Sequence, residues 1–271
     1  MNEIFELFEF AFFRNALAAA VLTSIIAGIV GSYIVARRTV FLSSGITHAS
    51  FGGMGLAYFM GWHPFLGAAV FAVFSALGIE WSSTKVGIRE DSSIAILWSL
   101  GMAIGIMFVF LTPGYTPNLM GFLFGDILTV QLSDLLWLSI VTILCIVLIG
   151  VFYDSIVAVA FDEEFAKVSK LPVQAIKYCS AVVVAVAIVL SIKVMGIILV
   201  LSIFTIPASA ANLFANKLKK VMIGSVIISI TGSLTGLFLA YFFDLPSGAT
   251  IIFTLTILFI VFKVVRILKS I

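Results

Sequence analysis

One histidine and two hydroxyl side chains lie close together in a long uncharged stretch, and they are the residues of this chain best suited to bind a metal ion. His48 lies within residues 39–61, which carry no formal charge and follow a pair of arginines. A neutral imidazole is a good ligand for zinc and other divalent transition metals. Ser44 and Thr47 offer hydroxyl oxygens, and we place both on the helix face of His48. These three residues are the candidate metal ligands.

A structural role is the alternative for His48, in which the imidazole forms a hydrogen bond to a neighbouring helix and contributes only to packing. A single imidazole is too few ligands for a metal cage, so the residues alone leave both roles open. Glycines surround the histidine, and they would allow neighbouring helices to approach closely. They occupy positions 45, 52, 53, 55 and 61.

The element that carries His48 is predicted to be a membrane-spanning helix. A hydrocarbon core of roughly 30 Å is crossed by about 20 apolar residues, and the apolar run over residues 42–61 has this length. A histidine at such depth is rare and usually faces a bundle interior or a polar cavity. His48 is therefore expected to line an internal surface.

The composition of the whole chain predicts an all-α, polytopic integral membrane protein. Hydrophobic residues make up 62% of the chain and charged residues 10%, whereas soluble domains average about 45–50% and about 25%. We expect one transmembrane domain over residues 1–271, with no soluble domain. About nine spans are predicted, over residues 15–36, 42–61, 64–83, 92–112, 133–153, 174–192, 194–212, 219–243 and 246–265.

The basic residues predict the orientation of these spans. With nine crossings and the N-terminus outside, all 15 basic residues except Arg14 and Lys193 fall on the cytoplasmic side. Membrane proteins carry this bias toward the cytoplasm. The chain is therefore expected to lie in the cell membrane with its C-terminus inside. A net charge of +2 gives no reason to expect a nucleic-acid partner.

The long inner loop, about residues 154–173, is predicted to contain a short amphipathic helix. Asp162 is a suitable N-cap, Glu163 and Glu164 suit the first turn, and Pro172 ends the helix. Phe165, Val168 and Ser169 would share one face. Such a helix either lies on the bilayer surface or docks into a cytoplasmic partner, and the pattern alone does not choose between the two.

Three further features predict local departures from simple spans. Residues 114–132 resemble an outer loop that dips back toward the membrane. Pro207 lies inside a span, where it removes a backbone donor and is expected to kink the helix. Lys177 lies near a helix end, from which its long side chain could reach the interface.

Several motifs are missing from the sequence, and their absence narrows the function. There is no G-x-x-x-x-G-K-[ST] loop and no H-E-x-x-H, so neither nucleotide binding through a P-loop nor a zincin-type protease is supported. No carboxylate lies in the middle of a predicted span, which argues against a proton-relay antiporter.

Six segments occur in order along the chain: residues 37–61, 90–105, 125–128, 161–166, 196–208 and 245–250. Together they resemble the permease subunit of ATP-binding-cassette importers for zinc, manganese or iron. The resemblance extends over most of the chain, from about residue 14 to residue 265. It implies that His48 contacts the transported ion.

The resemblance also implies partners. Two copies of the chain would form a homodimeric pathway, two copies of a separate cytoplasmic ATPase would dock on residues 162–171, and an extracellular metal-binding protein would deliver the ion in a bacterium or archaeon. The residues implied in ATPase docking are Asp162, Glu163, Glu164, Phe165, Ala166, Val168 and Ser169.

Two positions depart from the pattern of that family. Many members have an aspartate four residues before the histidine, where this chain has Ser44. The glycine that usually closes the docking helix is replaced by Lys170. The first departure weakens any inference about which metal passes.

The expected function is import of a divalent transition metal, with zinc placed first and manganese or iron next. ATP hydrolysis would occur on a separate chain, so this chain would be a transport subunit and not an enzyme. No tightly bound cofactor is expected; the only metal would be the transported zinc or manganese. The alternative is a secondary carrier or channel for a cation that works without an ATPase.

Overall fold

A computed structural model describes residues 7–113, 125 and 127–270 of the chain, and these residues are almost entirely helical, with no β-strand among them. The helices are α1 (Ala11–Ala36), α2 (Val40–Phe59), α3 (Pro64–Trp81), α4 (Glu90–Leu111), α5 (Leu132–Phe161), α6 (Glu163–Val168), α7 (Val173–Ala211), α8 (Leu218–Phe243) and α9 (Ser247–Ser270). A π-helical turn, Ser82–Val86, follows α3, and a 3₁₀ turn, Ile127–Thr129, precedes α5. The prediction of an all-α membrane fold is confirmed.

Within the described residues, seven of these helices are long and apolar enough to cross a membrane; α2 and α6 are not among them. The glycines, hydroxyl groups and histidine of α2 lower its mean hydropathy, although its length of 20 residues is sufficient. The predicted spans 174–192 and 194–212 are joined in α7. The backbone of α7 is non-helical at Gly196 (φ 76°, ψ 167°), whereas no such departure occurs at Pro207. The count of nine spans stays a prediction.

The chain forms two compact units. The first contains residues 1–32, 120–147 and 190–271, and the second contains residues 33–119 and 148–189. The single transmembrane domain expected over residues 1–271 stays a prediction.

In the second unit, α2 packs against α3 on one side and α4 on the other through glycines. A Cβ atom added at Gly53 would collide with the carbonyl oxygen of Gly67 on α3. A Cβ atom added at Gly52 would lie 2.6 Å from the carbonyl oxygen of Gly101 on α4. Small residues permit this close backbone approach between helices. The three helices therefore form one tightly packed group, as the glycines around His48 indicate.

In the first unit, α8 packs closely against both α9 and α1. A Cβ atom added at Gly236 of α8 would lie 2.6 Å from the Cα atom of Ile251 on α9. The hydroxyl of Ser24 on α1 donates to that of Ser233 on α8 (3.3 Å). Lys193 forms an ion pair with Asp134 at the start of α5.

The predicted inner loop is shorter in the structure, because α5 continues to Phe161. The backbone departs from helical geometry at Phe152 (φ −107°, ψ 17°) and then resumes the helix through residues 154–161. The residues from Ser155 to Phe161 are mostly apolar, and they continue the helix until Asp162 caps α6. The predicted loop is therefore mostly helical, and α6 is the short helix within it that was predicted to dock.

The predicted outer loop at residues 114–132 lies largely outside the described residues. Its described part includes Gly125, which has a positive φ of 64° and lies against the backbone of Met195 and Gly196. A side chain at position 125 would clash with that backbone.

Candidate functional site

The middle of helix α2, residues 42–55, has one open face, and it is polar. Between residues 42 and 55 every residue is buried except Ser44 and His48, which are half-buried. They are one helical turn apart and therefore lie on the same side of the helix. We call this pair the open face. A polar opening on an otherwise buried helix is the arrangement expected for a surface that contacts a passing ion.

The imidazole of His48 is held in place on one side by an aromatic ring. It stacks on the indole of Trp98 from α4, with ring centroids 4.4 Å apart and ring planes 3° apart. The Nδ1 atom of His48 is buried and has no hydrogen-bond partner. Buried polar atoms almost always have such a partner, so this nitrogen can accept or coordinate a ligand that the chain does not supply. Nδ1 thus forms no hydrogen bond to a neighbouring helix, while the stack on Trp98 packs the ring against α4; metal contact and packing both stay predictions for His48.

Sequence reasoning missed Trp98. The sequence shows only a tryptophan within the apolar run of α4. The number of residues between Trp98 and His48 does not predict which residues of the two helices face each other.

Thr47 does not lie on the open face, contrary to the prediction. It is fully buried, and its hydroxyl donates to the carbonyl oxygen of Ser43 (2.5 Å). Consecutive residues on a helix are separated by about 100°, so Thr47 points away from the direction of His48. The structure brings together only two of the three predicted ligands.

A closed metal cage is missing from the described part of the chain, where no group of three or more His, Cys, Asp or Glu side chains could hold a metal ion. The open face therefore offers one imidazole and one hydroxyl. Such a set suits brief contact with an ion and not long-term retention.

The helix α6 begins as the sequence predicts. The side chain of Asp162 accepts a hydrogen bond from the backbone N–H of Phe165 (2.9 Å) and caps the helix. Glu163 and Glu164 occupy its first turn, where carboxylates interact favourably with the helix dipole. Local pattern was sufficient for this assignment because capping involves only neighbouring residues.

The two sides of α6 differ sharply. Ala166 is fully buried in a small apolar cluster with Val159 and Val173. Phe165 is 60% exposed and Val168 is 82% exposed. Ala166, one of the residues implied in docking, therefore holds α6 to its own unit, whereas Phe165 and Val168 form a free apolar face.

The end of α6 uses a lysine where glycine is the usual residue. The N–H of Leu171 bonds to the carbonyl of Ala166 (3.0 Å) and that of Lys170 to the carbonyl of Lys167 (3.0 Å). These two bonds make a Schellman motif, whose turning residue has positive φ. Lys170 has φ 56°, so the turn forms without glycine and with some steric cost.

Four charged side chains form an ion cluster beside α6, and the sequence did not predict it. Glu80, in the last turn of α3, pairs with Arg37 (3.5 Å) and with Lys177 (3.0 Å). Lys177 also reaches Glu163 of α6 (3.2 Å). We call Arg37, Glu80, Lys177 and Glu163 the ion cluster.

The ion cluster is largely shielded from solvent. Glu80 is only 4% exposed and Lys177 only 8%. The expectation that the Lys177 side chain reaches the membrane interface was therefore wrong. Burial would raise the pKa of Glu163, but the hydrogen bond and charge of Lys177, with those of Lys167, outweigh it and lower that pKa. Glu163 therefore stays ionised and paired with Lys177 at neutral pH. One sequence feature could have indicated the ion cluster: Glu80 and Lys177 have opposite charge, and both lie near the cytoplasmic ends of predicted spans.

These features define the class of protein: a multi-pass helical membrane protein with a polar open face on a mostly buried helix and a short capped helix with a free apolar face. Comparison with known proteins then gives the family. The model of the ABC 3 transport family matches residues 9–266, so the chain belongs to that family and is a permease of this type.

Relatives and a solved structure agree with this assignment. The chain is 36% identical over 253 residues to a membrane protein of Synechocystis sp. (93% of this chain, 90% of the relative). It is 32% identical over 255 residues to the manganese transport system membrane protein MntC of Listeria innocua (94% and 91%). It is similar to a chain of PsaBC from Streptococcus pneumoniae, solved in complex with Fab, with a TM-score of 0.83 and 32% identity (96% and 95%).

Proposed function

We propose that this chain is the membrane-spanning subunit of an ATP-driven importer for a divalent transition metal, and that the open face contacts the ion as it passes. The observation that carries the proposal is that His48 and Ser44 are the two half-buried residues of the otherwise buried stretch 42–55 and lie on one side of the helix. An importer must release its cargo after each cycle. Few, neutral ligands favour release because they bind the ion weakly.

Manganese is the cargo we place first, ahead of the zinc that the histidine alone suggested. The similarity to MntC supports this order. Oxygen ligands and water suit manganese, whereas imidazole and thiolate favour zinc, and the open face adds a hydroxyl oxygen to a single imidazole. Zinc and iron remain the competitors to be tested.

The power source we propose is a separate ATPase that docks on α6. Phe165 and Val168 present an apolar face of the kind that seats in a groove of a partner. The rest of the proposed assembly is a second copy of this chain and an extracellular metal-binding protein, and it rests on the family.

The test is metal uptake into proteoliposomes that contain the chain with its ATPase. The wild-type protein should take up Mn²⁺ only when ATP is supplied, and unlabelled Zn²⁺ or Fe²⁺ should compete less well than unlabelled Mn²⁺. The variant His48→Ala should lose most of this uptake, roughly tenfold or more, while its amount in the membrane is unchanged.

His63→Ala is the matched control, since His63 is the other histidine of the chain and is exposed. It should transport at the wild-type rate. Equal uptake by both variants would remove His48 from the pathway. Uptake without ATP would instead favour the carrier or channel.

A further inference from the structure

We propose that Lys177 and Glu80 are positioning residues that link the docking helix α6 to α2, the helix that carries the open face, so that movement of α6 reaches His48. This inference rests on the proposed function, because it assigns the route by which ATPase docking would act on the ion pathway. The observation behind it is that one lysine contacts carboxylates on two different elements.

The link begins at α6. Lys177, near the start of α7, donates a hydrogen bond to Glu163 in the first turn of α6 (3.2 Å). Its Nζ also lies 3.0 Å from Glu80 at the end of α3. A displacement of α6 therefore pulls on Lys177 and, through it, on the end of α3.

Glu80 connects Lys177 to α2, the helix that carries His48, in two ways. Its carboxylate also pairs with Arg37 (3.5 Å), three residues before α2 begins. In addition, α3 is locked to α2 where Gly53 and Gly67 bring the two backbones together. Because packed helices shift as units, movement at the end of α3 is expected to carry α2 with it.

Burial makes the pairs of Glu80 with Lys177 and Arg37 a strong mechanical link and a poor stabilising device, whereas the Lys177–Glu163 pair is partly exposed at Glu163. Two charges taken out of water gain little net stability even when they pair. Replacing such a pair with apolar residues of similar size is often neutral. A purely structural role would therefore be served as well by packing, whereas a link that must hold while helices move benefits from charges that attract over a range of distances.

The experiment measures metal transported and ATP hydrolysed by the same reconstituted complex of chain and ATPase. Lys177→Met should leave ATPase association and basal hydrolysis unchanged and lower the Mn²⁺ moved per ATP by about tenfold, a usual size for coupling between sites. Lys177→Arg keeps the charge and should restore much of the ratio.

Two further variants separate coupling from folding. The double variant Glu80→Gln with Lys177→Met leaves no unpaired carboxylate at position 80 and should show the same tenfold loss. Lys167→Met removes a lysine that also pairs with Glu163 but is exposed, and it should keep the wild-type ratio.

The outcomes are distinct. Uptake and hydrolysis that fall together in Lys177→Met, with an unchanged ratio, would overturn the link and leave a structural role only. An unchanged ratio in the double variant would also overturn it. If the wild-type complex itself shows no ATP-driven uptake, the proposed function fails first, and the ratio is then undefined for every variant.

Discussion

The open face and the ion cluster lie in the same unit and use opposite chemistry. The open face has a hydroxyl and an imidazole, and one buried nitrogen of that imidazole has no hydrogen-bond partner. In the ion cluster every side chain has an opposite charge within 3.5 Å. The difference fits the two proposed tasks. A surface that must release an ion keeps its interactions few and incomplete, whereas a connection between helices keeps its charges paired.

The strongest test of this contrast removes the centre of the ion cluster. Glu80→Ala leaves Arg37 and Lys177 facing each other without their shared carboxylate, and breaking a buried pair in this way costs about 3–5 kcal/mol. Denaturant unfolding of the detergent-solubilised chain measures the loss. Asp91→Ala is the control, because its pairing with Arg89 is exposed and long (4.0 Å); a loss as small as in that control would refute the importance of the cluster.

The next test introduces a charge on the free apolar face of α6, where the proposed docking needs apolar side chains. Phe165→Glu should weaken binding of the ATPase by about 2 kcal/mol or more, as expected when a central apolar anchor is lost. Affinity measured by titration of the ATPase onto the reconstituted chain gives the value. Phe165→Leu should bind nearly as well as wild type. If both variants bind equally, this face is not the contact.

A third test makes the open face resemble the ion cluster by adding a carboxylate. Ser44→Asp should hold Mn²⁺ more tightly, since carboxylate oxygens are ligands that Mn²⁺ prefers, and it should slow release. Equilibrium dialysis of the purified chain measures the affinity. Thr47→Val should leave the affinity unchanged because Thr47 points away from His48; a loss there would return Thr47 to the site.

The smallest expected effect concerns the end of α6, beside the ion cluster. Lys170→Gly should stabilise the turn by about 1 kcal/mol, because glycine adopts positive φ without steric cost. Hydrogen exchange of the α6 amides reports the change. Lys170→Ala removes the charge but keeps the strain, so it should give no gain, and a gain equal to that of glycine would mean that charge, not φ, matters.

The sequence predicted features that depend on neighbouring residues or on composition. The cap at Asp162 and the free side of Phe165 and Val168 follow from spacing within one short helix. The positions at which the backbone departs from helical geometry were harder to predict from the sequence. Proline pointed to position 207, whereas the backbone of α7 departs from the helix at Gly196, where the backbone of Gly125 also lies against it. A contact between residues so far apart in the chain has no local signature.

Sequence alone determined that this is a helical membrane protein with one histidine inside a glycine-rich apolar segment, because hydropathy and charge act residue by residue. The separation of Thr47 from His48 follows from helix geometry, whereas tertiary structure decided which side of α2 stays open and that Lys177 is buried between Glu80 and Glu163. Those outcomes depend on how helices from distant parts of the chain rotate and pack against each other, and a single sequence carries no register between them.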